Sequence, residues 1–166
     1  MNKLGKNPVN AFEAPKRTKT SNYPEPFASK MSGRTKRPLG DLFGINKFGV
    51  NLAELSPRSE SSILHKHSKQ EEFIFVLSGN PTLILETRKI HLNAGDCFGF
   101  TPDGPAHKLI NETDEVVTYI EIGDRPIDDL VTYPNDDLVA KLNNQGKWSF
   151  FKKNINSLVS LVVIYT

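Results

Sequence analysis

From residue 48 onward, apolar and polar side chains alternate in short runs broken by clusters of turn-forming residues. Phe48-Gly49-Val50-Asn51-Leu52-Ala53-Glu54-Leu55 is the first such run and predicts a strand with one buried face. Further strands are expected over 62–67, 72–77, 81–86, 89–92, 97–101, 106–111 and 115–122. Ser78-Gly79-Asn80-Pro81, Asn93-Ala94-Gly95-Asp96, Pro102-Asp103-Gly104-Pro105 and Glu112-Thr113-Asp114 separate them as turns. Short strands at near-regular spacing without intervening helices predict an all-β sandwich or barrel. Residues 39–44 read as a turn or short helix. After Gly123 the pattern changes. Pro134-Asn135-Asp136-Asp137 predicts the cap of a short helix over 138–142, and 147–151 is expected to pack back on the sheet.

Upstream of these runs, Pro8, Pro15, Pro24, Pro26 and Pro38 interrupt any periodicity, so 1–38 reads as an extended arm docked through Tyr23 and Phe27. The resulting plan is an arm over 1–38, a β-barrel over 39–125 and a C-terminal extension over 126–166 that packs on it. The 166 residues suit one core of ordinary size. The net charge of +2 conceals an asymmetry, because residues 1–40 hold nine of the 21 Lys and Arg but only Glu13 and Glu25. A basic arm on an acidic body can dock on protein or bind nucleic acid, but it carries few aromatics and no recognised binding motif, which disfavours nucleic acid. Cys97 is the single cysteine and cannot form an internal disulfide. No run approaches the roughly 20 apolar residues that span a bilayer, and the N-terminus lacks an apolar signal region, so a cytoplasmic protein without a membrane partner is expected.

The candidate chemistry lies in residues 63–111. In an extended strand alternate side chains share a face, so His65 and His67 point the same way, roughly 6–7 Å apart at Cα. Glu72 follows on the next strand and His107 on a distant one, and three imidazoles with one carboxylate suit a divalent ion. Glu71 is the rival ligand, and strand parity decides between the two; the reading favours Glu72. If Glu72 faces inward, Ile74 and Val76 do too, giving an apolar wall to which Phe98 or Phe100 adds, while Phe73, Phe75 and Leu77 face out. Cys97 reads as core and His91 as a solvent-facing strand residue. Neither a phosphate loop nor a G-x-S-x-G nucleophile signature occurs.

The spacing H-x-H-x4-E-x6-G at His65, His67, Glu72 and Gly79 resembles the first motif of the cupin superfamily. Pro102, Gly104, His107 and Asn111 resemble its second, P-x-G-x2-H-x3-N, with the gap from Gly95 one residue longer than the commonest form. The resemblance implies a double-stranded β-helix jelly roll with one divalent metal (Fe, Mn, Ni, Co or Zn) on His65, His67, Glu72 and His107. Tyr23-Pro24-Glu25-Pro26-Phe27, Lys36-Arg37-Pro38-Leu39-Gly40-Asp41 and Tyr133-Pro134-Asn135-Asp136-Asp137 look like a bacterial group of single-domain cupins, some described as sugar-phosphate isomerases or as regulators. That likeness covers roughly residues 20–153. It implies a metal-dependent isomerase, epimerase or oxygenase acting on a small molecule, or else a non-catalytic module that holds metal and ligand. A homodimer is also expected, with the arm or 48–55 offering an extended segment to a neighbour's sheet.

Overall fold

The computed structural model describes residues 7–19, 21–143 and 145–153. Two very short helices, α1 (Phe27–Lys30) and α2 (Leu39–Leu42), flank the strand β1 (Arg34–Pro38). The remaining elements are all strands. They are β2 (Phe48–Leu55), β3 (Lys66–His67), β4 (Glu72–Ser78), β5 (Thr82–Leu85), β6 (Arg88–His91), β7 (Cys97–Phe100), β8 (His107–Ile110), β9 (Val117–Asp124), β10 (Leu130–Thr132), β11 (Val139–Leu142) and β12 (Trp148–Phe151).

One antiparallel sheet runs β1-β2-β9-β4-β7, and facing it lie β6-β5-β8 and β12-β11-β10-β3. The two smaller sheets are joined by residues 60–67, which run beside β8 through bridges between Glu60 and Ile110 and between His65 and His107. Five steps on one side match three on the other, so two extra residues bulge out just before the histidine pair. Strand alternation sends Ala53, Leu55, Ile74, Val76, Leu83, Leu85, Leu109, Val117 and Tyr119 into one core between the layers. A second cluster of Ile63, Val131, Tyr133, Leu138, Ala140 and Phe150 fills the C-terminal side, with Tyr23, Phe27 and Trp148 packed on it.

Three expectations change. The helix expected over 138–142 is strand β11, because Leu138, Ala140 and Leu142 are buried at period two, with Lys141 between them exposed. The arm expected over 1–38 ends in a strand, with Lys36 opposite Ala53. That pairing fills one edge of β2 over residues 51–55, and β9 takes the other edge. Tyr23 and Phe27 do dock, and 148–151 packs back on the sheet as β12. Cys97, expected in the core, is exposed opposite Phe75 on the outer face. Residues 154–166 lie outside the described residues. No helix among the described residues is long and apolar enough to cross a membrane.

Candidate metal centre

Strand register brings the four predicted ligands together. His65 and His107 exchange both backbone hydrogen bonds, at 3.2 and 2.8 Å, which sets their side chains side by side. Two residues on, His67 pairs with Val131 of β10, and its carbonyl accepts the Asp103 N–H at 2.8 Å. Glu72 opens β4 in the opposite sheet and reaches across the barrel. Its Oε2 lies 2.9 Å from His107 Nε2, 3.6 Å from His67 Nε2 and 3.7 Å from His65 Nε2. Glu71 is exposed, with its backbone N–H on Asp124 Oδ1 at 2.9 Å, so parity selects Glu72.

Each imidazole is held from behind. His65 Nδ1 faces the Ile63 carbonyl at 2.9 Å, His107 Nδ1 the Pro105 carbonyl at 3.2 Å, and His67 Nδ1 the Asp129 carboxylate at 2.5 Å. A neutral imidazole has one N–H, and these acceptors place it on Nδ1. With that tautomer on all three neutral rings, the Nε2 lone pairs turn toward the Glu72 carboxylate. His107 states the conflict most clearly, since both of its ring nitrogens face acceptors. A divalent cation among them would satisfy such donors, so the residues fit a metal: His65, His67 and Glu72 have ligand atoms within 4.8 Å of one another and would hold it, with His107, 2.9 Å from Glu72, beside them.

Burial alone would raise the Glu72 carboxyl, but hydrogen bonds from the His107 and His65 imidazoles and the positive charge that the rings can carry hold it well below the usual carboxylate range. Burial dominates at His65 and lowers it, which keeps the ring neutral and able to bind metal. At His67 burial also pulls down, yet Asp129 and Glu72 outweigh it and the ring is raised.

Asp129 is the residue that the sequence did not mark. It is fully buried, with Oδ2 on His67 and Oδ1 accepting the N–H groups of Lys69 and Gln70 at 2.8 and 3.2 Å. It stands 62 residues from His67, and only the pairing of β3 with β10 brings the two together. Of the expected wall residues, Ile74 and Phe100 line the cavity, and the Phe100 ring stacks on His107 at 3.6 Å. Val76 is fully buried in the core and Phe98 packs against it. The cavity, of about 920 Å³, is also lined by Tyr23, Arg34, Lys36, Asn51, Tyr119, Glu121, Tyr133 and Trp148. Its interior is thus more polar than an apolar wall predicts.

Residues 51–123 match the cupin domain family. None of the curated proteins matches the chain. A solved structure from Silicibacter pomeroyi, named a sugar phosphate isomerase of the cupin superfamily, is 30% identical. It aligns over 93% of this chain and 98% of its own, with a TM-score of 0.83. A candidate sugar phosphate isomerase from Acidithiobacillus ferrooxidans is 31% identical over 76% of this chain and 81% of its own, with a TM-score of 0.70. The polyketide cyclase RemF from Streptomyces resistomycificus shares the fold at 20% identity, over 71% of this chain and 78% of its own, with a TM-score of 0.58. The chain belongs to the cupin superfamily.

Proposed function

We propose that the protein is a divalent-metal-dependent isomerase acting on a small phosphorylated hydroxy-carbonyl compound of the sugar-phosphate class. The observation that carries this reading is the convergence of three Nε2 atoms on Glu72 at the wall of a large polar cavity. Four protein ligands leave room on a six-coordinate ion, and an open position is what a catalytic centre requires. The bound ion supplies polarisation of a carbonyl or hydroxyl oxygen. The name given to the relative from Silicibacter pomeroyi supports the substrate class, since the alignment spans nearly the whole of that chain.

The first test is metal content. Purified protein should hold close to one equivalent of divalent ion per chain, and replacing His67 and His107 together by Ala should remove it, as measured by elemental analysis. A double variant that keeps its metal would end this reading. Loaded protein should then interconvert aldose and ketose phosphates without consuming oxygen. Steady oxygen uptake during turnover would move the chemistry to the oxygenase class.

A further inference from the structure

Beside the four ligands the cavity holds a second ionisable cluster. In β9, Tyr119, Glu121 and Gly123 share the inward face; in β4, so do Glu72 and Ile74. Gly123 pairs with Glu72 and Glu121 with Ile74, so Glu121 is the diagonal neighbour of Glu72, about 7–8 Å away across the sheet face. A second carboxylate residue therefore lines the same cavity, one diagonal step along the sheet from the ligand candidate Glu72. Its Oε1 accepts the Lys36 ammonium in a close ion pair and the Asn51 Nδ2–H at 3.0 Å. Oε2 accepts no hydrogen bond from a described residue. The pair is largely buried, with side-chain exposures of 19% for Lys36 and 23% for Glu121. Desolvation makes such a pair a weak device for stability alone. Arg34 from β1 and Glu72 from β4 act on Lys36, and Glu121 acts on Tyr119, its neighbour on the same face of β9.

We propose that Glu121 is the catalytic base and acid of the isomerisation, with Lys36 and Asn51 as the residues that hold its carboxylate in place. This rests on the reading of the protein as a metal-dependent isomerase. The Glu121 carboxylate takes the proton from the carbon next to the substrate's carbonyl. The C–H electron pair forms the carbon–carbon double bond of an enediolate as the carbonyl electrons move onto oxygen. Glu121 returns the proton to the neighbouring carbon, and a hydroxyl proton passes between the two oxygens. Substrate and product have the same formula, so no redox partner enters. Two carboxylates in unlike surroundings, one among imidazoles and one beside a lysine, divide ligand binding from proton transfer.

The test uses the Mn(II)-loaded full chain with erythrose 4-phosphate, ribose 5-phosphate, glucose 6-phosphate and mannose 6-phosphate in deuterated water, read by NMR. Wild type should convert at least one of them with deuterium entering the product carbon. E121Q should lose turnover and deuterium incorporation by about 10²–10⁴-fold. Its Mn(II) content and its affinity for glycolohydroxamate, a planar enediolate mimic, should stay at the wild-type level. K36M should lower kcat while KM and Mn(II) content change little, because the carboxylate loses the partner that holds its Oε1, and K36R should restore kcat in part. Wild-type turnover by E121Q would overturn the assignment and leave the isomerase reading standing. Loss of metal in E121Q would show a structural role and overturn it too. If wild type converts no probe, the isomerase reading falls and takes this inference with it.

Discussion

His67 and Asp129 show how much of the site depends on one contact that spacing does not reveal. The 2.5 Å hydrogen bond joins two buried side chains, and burial alone would raise the aspartate. His67 and the N–H groups of Lys69 and Gln70 outweigh that and lower it, so Asp129 stays a carboxylate. A carboxylate behind a ligating imidazole fixes the ring's tautomer and raises its basicity. Asp129→Asn keeps one acceptor for two groups of donors, so either His67 or the Lys69–Gln70 turn loses its partner. We expect metal affinity to fall about 10–100-fold, measured by competition with a chelator at fixed pH. Unchanged affinity would mean that His67 is held in place by packing alone.

Among the elements, the second sequence motif divides into a ligand and a tether. His107 lines the cavity, whereas Asn111, four residues on, is only 1% exposed and lies outside the cavity lining. Its Nδ2 donates to the carbonyls of Leu55, Ser56 and Glu115 at 3.1, 3.0 and 2.7 Å, and its Oδ1 accepts Thr113 N–H. Asn111 therefore ties the end of β8 to the end of β2 and to the turn before β9. Asn111→Ala strands buried carbonyls and should cost about 2–3 kcal/mol, read as a lower denaturant midpoint with an unchanged slope. A midpoint shift near zero would make the tether dispensable. Gly79, in the first motif, has a similar local reason. It sits at φ +80° where a Cβ would lie 3.0 Å from the Val116 carbonyl, so no other residue closes this turn without strain. The strand 72–78 was legible because period-two burial leaves a direct trace, whereas β2 shows its alternation in residue type although Leu52 and Ala53 are both buried. Over 138–142 a good capping sequence competed with too few residues to separate the periods, and tertiary pairing with β10 and β12 decided for strand. Spacing singled out His65, His67, Glu72 and His107, whose side chains the fold gathers, but not Lys36, Glu121 or Asp129 beside them. Their placement comes from register between segments far apart in sequence, and Lys36 sits in a stretch whose prolines and charge suggested an arm.

At the scale of the whole molecule, the arm is bound to the C-terminal sheet by aromatic side chains that also close the cavity. The Tyr23 ring meets Tyr133 at 5.7 Å and Phe150 at 5.8 Å, both edge-on. Burial pushes the Tyr23 hydroxyl up to about 12, against a smaller opposing pull from Arg34, and burial raises Tyr119 and Tyr133 well above 10 as well. A phenol whose folded value is raised stays protonated in the native state while the unfolded chain ionises above about pH 10. The unfolded state then binds fewer protons, so stability is complete below about pH 10 and falls as the pH rises toward 12. Lys36 acts in the opposite direction, since burial lowers its ammonium, but that contribution levels off once lysine in the unfolded chain has titrated near 10.5. Above that point the tyrosines decide. Tyr23 alone should remove up to about 2–3 kcal/mol between pH 10 and 12. Denaturant midpoints measured across this range should fall steeply for wild type and less steeply for Tyr23→Phe, which cannot ionise. If the two slopes coincide, the Tyr23 hydroxyl is not buried in the folded protein, and the arm does not seal this side of the cavity.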